Sequence, residues 1–154
     1  MLRRHKFNVL PLVEADEQSR YLLDEQVGFL MRIAMQRHTS LFAARMVESL
    51  TPTQFAALAK LYDVGPCSQN HLGRLIHLDA ATIKGVVDRL CARGFVSALS
   101  DPNDRRRRSV TLTERGREVT EAAMAIAVDI TNETLAPLSG DEQRSMMNLL
   151  KKLA

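Results

Sequence analysis

The sequence predicts a mainly α-helical fold with one small β-hairpin, α+β in class, and three observations lead to it. Apolar residues recur at three- and four-residue steps through most of the chain. Hydroxyl or carboxylate caps stand in front of those runs at Thr51, Ser68, Asp79, Thr113 and Ser139. Two short runs of strand character, Phe95-Val96-Ser97-Ala98-Leu99 and Ser109-Val110-Thr111-Leu112, flank a turn that carries four consecutive arginines, Arg105 to Arg108.

The elements follow in order. From about Asp16 to Val47, Leu23, Val27, Leu30, Met31, Ala34, His38, Leu41 and Phe42 keep helical spacing and predict one long first helix. Thr51-Pro52-Thr53-Gln54 combines an N-cap hydroxyl, a proline at the first helical position and a glutamine at the third, a capping box ahead of Phe55, Leu58, Ala59 and Tyr62. That second helix stops at Gly65-Pro66. Ser68 opens a short third helix that buries Leu72, Leu75 and Ile76. Asp79 caps a fourth, with Ile83, Val86, Val87 and Leu90 as its apolar stripe and Gly94 as its left-handed stop. The opposite face of the fourth helix carries Ala81, Thr82, Lys84, Gly85, Asp88 and Arg89, small or polar groups that suit an approach to base edges and phosphates. Thr113 caps a fifth helix through Val119, Ala123, Ile126 and Ile130, ending before Pro137. Ser139-Gly140-Asp141-Glu142 is a second capping box, and the last helix carries Met146, Leu149, Leu150 and Leu153 on one face.

Composition bounds what such a chain does. At 154 residues, 45% apolar and 25% charged, it is one domain of ordinary globular material, and no apolar run approaches the ~18 residues of a membrane span. Arg3, Arg4 and Lys6 are followed by no apolar stretch of secretory type, and Cys67 and Cys91 form no disulfide framework, so the expectation is a cytoplasmic chain with reduced thiols and no membrane partner. A net charge of +3 is mild, so the placement of the basic residues matters more than their sum. An enzyme would need a nucleophile with its base, paired carboxylates or a glycine-rich phosphate loop, and no Gly-x-Gly-x-x-Gly run occurs, so neither catalysis nor a cofactor is expected.

The third helix, the fourth helix and the arginine-tipped hairpin together make a winged helix-turn-helix, a fold whose partner is double-stranded DNA. The expected division is a DNA-binding module over residues 51–116, flanked by dimerisation helices at 16–47 and 117–154. The apolar terminal helices need a partner surface, and pairing with the same helices of a second copy, as a two-fold homodimer, is the economical solution.

The middle of the chain resembles the MarR family of winged-helix transcriptional regulators. Its wing pattern, Asp-x-Arg, five residues, then Leu-Thr-x-x-Gly, is met at Asp104, Arg106, Leu112, Thr113 and Gly116, with Asp101-Pro102 just before. Ser68, Gln69 and Leu72 match the opening of the family's third helix, and Asp88 to Val96 the close of its fourth. The chain departs from the pattern at Gly85, where a larger residue is common, and near Ala98, where an arginine is common.

The resemblance implies an obligate dimer that binds a pseudo-palindromic operator, usually as a repressor, and releases it when a small molecule arrives. It sets Thr82 and Lys84 on the groove-facing side of the fourth helix, where the reading of its polar face adds Ala81 and Arg89, with Arg106 in the minor groove and Arg105, Arg107 and Arg108 beside phosphates. It sets Ser68, Gln69 and Asn70, at the start of the third helix, against the DNA backbone.

For the effector, His38 sits on the apolar stripe of the first helix beside Met31, Met35 and Phe42, with Arg32, Arg37 and Arg45 on its flanks. In the family the effector pocket lies between that helix and the DNA-reading module, and methionines and aromatics there accept a flat ring while the cations accept a carboxylate. The candidate ligand-binding residues are therefore Met31, Arg32, Met35, Arg37, His38 and Phe42. Residues 28–39 resemble regulators of aromatic-acid catabolism, which implies an aromatic carboxylate or its coenzyme A thioester as the effector. Two other readings stand beside this one: a non-specific architectural DNA-binding protein, and a metal-responsive regulator using Cys67 and His71 with His77, although no metal site is expected.

Overall fold

The computed structural model describes residues 21–100 and 108–153. Its order is α1 (Val27–Arg45), α2 (Pro52–Val64), β1 (Cys67–Ser68), α3 (Gln69–Leu75), α4 (Ala80–Ala92), β2 (Val96–Ser100), β3 (Arg108–Leu112), α5 (Glu114–Leu135) and α6 (Gly140–Leu153). It is a mainly helical fold with a small antiparallel sheet, as the periodicities predict. The chain divides into two compact units, one ending at Ala34 and the other beginning at Met35.

In the first unit a single 3₁₀ turn, Leu23–Glu25, precedes α1, and Gln26 between them has an extended ψ of 126°. The first helix therefore begins at Val27 rather than near Asp16; residues 16–20 of the expected span lie outside the described residues. Apolar spacing alone does not register that interruption, because Leu23 and Val27 remain four residues apart on either side of it.

The second unit is built around α2, α3, α4 and the sheet. α2 starts as its sequence dictates: Gln54 N–H donates to Thr51 Oγ1 at 3.3 Å, and Thr51 N–H donates to Gln54 Oε1 at 2.9 Å, so two orphan donors are satisfied reciprocally. The chain leaves α2 through Gly65, whose φ of +74° is one that side-chain-bearing residues rarely adopt. Two residues, Cys67 and Ser68, then pair with β3 at Val110 and Ser109. This third strand, order β1-β3-β2, was not expected from the sequence: two residues are too few to show alternation. β2 and β3 pair from Val96↔Leu112 to Ser100↔Arg108, the hairpin that the flanking runs predict.

The apolar stripe of α4 is buried as predicted, with Ile83, Val86, Val87 and Leu90 at 1% exposure or less. They meet Leu58, Leu72, Phe95 and Val110 in one core, which Phe42, Met46 and Leu50 join from the end of α1 and the connection after it. Because the buried stripe faces this core, the polar face of α4 is left outward. α5 packs on the module through Gly116, Thr120, Ala123 and Ile130. α6 begins at the predicted box, with Ser139 N–H donating to Glu142 Oε2 at 2.8 Å, and buries none of its residues.

Candidate nucleic-acid interface

Two elements converge on the outward face of α4. The first is α4 itself, fixed at its start by Asp79, whose Oδ1 accepts from Thr82 N–H and whose Oδ2 accepts from the Thr82 hydroxyl, both at 2.8 Å. Those bonds, the backbone amide first, hold the Asp79 carboxyl below its ordinary range. Thr82 has thereby spent its hydroxyl proton inward. What it offers to solvent is a methyl group and acceptor lone pairs, which suit a thymine methyl or a base amino group.

The second is the base of the hairpin. Arg108, the first residue of β3, donates to Asp88 Oδ1 at 2.9 Å, and Lys84 donates to Asp88 Oδ2 at 2.6 Å. One carboxylate thus ties α4 to the base of the hairpin and holds two cations at once. Asp88 is pushed below the ordinary carboxyl range, first by the Lys84 bond and then by the Arg108 bond. The i,i+4 spacing of Lys84 and Asp88 was legible in the sequence, whereas the bond to Arg108 depends on tertiary structure.

The other expected contacts are placed as follows. Ala81 and Arg89 are exposed on the same face as Thr82 and Lys84. At the start of α3, Ser68 Oγ accepts from His71 N–H at 3.2 Å, Asn70 is exposed, and Gln69 turns inward, with an Oε1 that is buried and unpartnered among the described residues. Arg105, Arg106 and Arg107 lie outside the described residues. Cys67 is half-buried and burial raises its thiol above the ordinary range, which opposes thiolate chemistry. Among the described residues no three His, Cys, Asp or Glu side chains converge in a metal-holding group, and no helix is long and apolar enough to cross a membrane.

This arrangement, a capped polar helix beside a cationic hairpin, has counterparts. The MarR family profile matches residues 50–107, which run from the start of α2 into the wing. The HTH-type transcriptional repressor NicR of Pseudomonas putida is 39% identical over 138 residues, covering 89% of this chain and 87% of that protein. The chain belongs to the MarR family. It is a transcriptional regulator and not an enzyme. The crystal structure of a probable transcriptional regulator from Pseudomonas aeruginosa shares 50% identity and a TM-score of 0.82, over 86% of this chain and all of that one. The structure of Bordetella bronchiseptica BpsR, solved to explain how 6-hydroxynicotinic acid regulates its DNA binding, shares 40% identity and a TM-score of 0.78, over 84% of this chain and 98% of that one.

The residues expected to meet an effector in this MarR-family chain fall into three groups. Met31 and Arg32 belong to the first unit, where the Arg32 guanidinium lies 5.1 Å from the Phe29 ring centroid. Phe42 is a core residue, 6% exposed, its ring 6.0 Å from that of Phe55. Met35, Arg37 and His38 lie on the part of α1 that belongs to the second unit, and α5 holds two of them. Arg37 donates to the Glu133 carbonyl at 3.2 Å, and His38 Nδ1 lies 2.9 Å from Thr134 Oγ1. The Thr134 hydroxyl already donates to the Ile130 carbonyl at 2.7 Å, so it accepts from His38. Nδ1 therefore carries the proton, and Nε2 is the ring nitrogen left for another partner. Arg45 is committed to Glu133 at 2.5 Å and Asp129 at 3.6 Å.

Proposed function

We propose that this protein is a cytoplasmic homodimeric repressor that binds a pseudo-palindromic operator through α4 and the wing and is released by a small aromatic carboxylate. The observation that carries the reading is the outward face of α4, where Thr82, Lys84 and Arg89 stand exposed beside the base of a hairpin continuing into Arg105–Arg107. A helix capped at one end and bonded through Asp88 to the base of that hairpin presents groups for a major groove and for flanking phosphates from one side of the module. In this reading Ser68 and Asn70 serve phosphates, Arg108 is held by Asp88 at the base of the wing, and Arg106 enters the minor groove.

Of the two effector classes expected, the free acid is supported by BpsR, whose DNA binding is regulated by 6-hydroxynicotinic acid. Met35, Arg37 and His38 offer such a molecule a flat apolar contact, a guanidinium with donors to spare, and the open Nε2. Release follows if the acid prefers a spacing of the two reading helices that departs from one turn of duplex, about 34–36 Å.

The test is selection from randomised duplexes followed by affinity measurement. A specific regulator prefers the selected duplex over random sequence by at least about a thousandfold at physiological salt, and an architectural protein does not. Adding 6-hydroxynicotinate to the complex with the selected duplex lowers its affinity in wild-type protein and has a weaker effect on His38→Ala; an acid that binds without changing duplex affinity would refute the release mechanism.

A further inference from the structure

Glycine inside a helix costs about 1 kcal/mol relative to alanine, so each such residue invites a reason. For Gly73 and Gly116 the reason is packing: an added Cβ would stand 3.1 Å from Ile83 Cγ2 in the first case and 1.8 Å from the Phe95 carbonyl oxygen in the second. Gly28 sits in the first turn of α1, where a helix loses least by it. Gly85 is different. It lies in the middle of α4, on the outward face, and the nearest atoms to a Cβ there belong to one flexible side chain: Arg89 Nη1 at 3.5 Å, Nη2 at 3.7 Å and Cζ at 3.9 Å.

The guanidinium of Arg89 is thus folded back over the backbone of Gly85. Side chains on a helix lean toward its N-terminus, so this one lies back along the preceding turn; a Cβ at 85 would meet it only at ordinary contact distance, and it is a longer side chain there that would take its place. The consequence is positional. Arg89 is rooted near the end of α4, whereas its head group lies about one turn earlier, over Gly85 in the middle of the helix and nearer the end at which a reading helix meets base edges. It also differs from its neighbours in charge. Lys84 and Arg108 are bonded to Asp88, Arg93 to Glu48 and Arg74 to His71, whereas among the described residues Arg89 has no hydrogen-bond or ion-pair partner. Its fork of five donors is unspent.

We infer that Arg89, seated over Gly85, is a specificity-determining residue that reads a guanine in each half-site through the paired O6 and N7 acceptors. The inference rests on the proposed placement of α4 in the major groove. A guanidinium fork matches that acceptor pair in a way an ammonium does not. Gly85 acts as a positioning residue, because the size of residue 85 decides where the fork points.

The experiment is selection from randomised duplexes by wild-type protein, followed by affinities of Arg89→Ala, Arg89→Lys, Gly85→Gln and the Gly85→Gln/Arg89→Ala double variant for the selected duplex and for the same duplex with one guanine replaced per half-site. Thr82→Ala is measured alongside. The expected result is a guanine at a fixed place in each half-site and a discrimination of roughly tenfold to a hundredfold for it in wild type. That discrimination is lost in Arg89→Ala and Arg89→Lys. Gly85→Gln loses it too, with no lower melting temperature since glutamine is the better helix former, and the double variant is no worse than Arg89→Ala.

If Arg89→Ala instead weakens every duplex alike and flattens the salt dependence, the residue touches a phosphate and the inference is overturned. Additive losses in the double variant would overturn the seat. Should wild type select no sequence at all, the placement of α4 fails and takes this inference with it; a loss of preference in Thr82→Ala without one in Arg89→Ala leaves that placement standing and removes only the present inference.

Discussion

Asp88 shows how one side chain sets the balance of charge on the outward face of α4, the face proposed to meet DNA. An isolated carboxylate there would repel phosphates, yet this one is shared by Lys84 and Arg108, offsets one of their two charges, and so decides how much positive charge the face presents. Asp88→Asn frees both cations. Its expected effect is tighter binding to random duplex at low salt, with the slope of log affinity against log salt steeper by up to about two units if both cations then reach phosphates. An unchanged slope in a salt titration would mean that neither does. The same substitution carries a pH signature. Because the folded-state value of Asp88 is depressed, its pairing stabilises the protein above the unfolded carboxyl value, about 4, and that contribution disappears as pH falls through the lower folded value. Chemical denaturation should therefore separate wild type from Asp88→Asn at pH 7 and bring them together as pH falls below the ordinary carboxyl range. His77, in the turn between α3 and α4, offers a contrasting case, with φ of +56° in a residue that carries a Cβ. His77→Gly relieves that conformation and should raise stability by roughly 1 kcal/mol, read as a higher melting temperature.

At the scale of elements, the junction between the hairpin and α5 determines whether the wing is held at all. The Phe95 carbonyl accepts from Thr113 N–H at 3.1 Å while Thr113 Oγ1 accepts from Gly116 N–H at 2.9 Å, so the end of β3 and the cap of α5 close on the start of β2. Gly116 lies directly against that carbonyl. Gly116→Ala should cost at least about 3 kcal/mol, the upper end for overpacking, and lower the melting temperature by roughly 6–12 °C. A variant that melts with wild type would show that the junction gives way easily. The cap and the glycine were both visible in the sequence, Gly116 as part of a motif, but the reason for the glycine was not, because Phe95 is far from it along the chain. The same distinction runs through the fold. Caps at Thr51, Ser68, Asp79, Thr113 and Ser139 are local chemistry and could be read directly. The strand at Cys67–Ser68 exists only through Val110 and Ser109, and the fold-back of Arg89 only through the geometry of α4. Of the candidate sites, the outward face of α4 was legible because its buried stripe is regular. The effector residues were less so: a shared apolar stripe does not tell Phe42, which is core, from Met35, which is exposed.

For the whole molecule, the decisive question is what covers the apolar side chains that the single chain leaves in water. In α6, Leu149, Leu150 and Leu153 are 59%, 40% and 72% exposed, and no residue of that helix is buried. A 14-residue helix with its leucines solvated has little reason to stay folded alone. The first unit repeats the pattern, with Tyr21 and Val27 exposed at 72% and 69%. Exposed apolar stripes at both ends of a chain fit a second copy better than an unrelated partner, because a two-fold axis buries each stripe against an identical subunit and needs no further gene product. Light scattering should accordingly give twice the 17.2 kDa mass of one chain. Leu149→Glu/Leu153→Glu places charges in the same stripe and should give a single-chain mass while far-UV circular dichroism still reports the helices of the reading module. The accompanying loss in operator affinity should be far larger than that of any single contact, because one subunit engages one half-site and forfeits the effective concentration that tethers the second. If the charged variant keeps the double mass, α6 is not the seam, and if the wild type itself scatters as one chain, a two-fold operator has no matching protein to bind it.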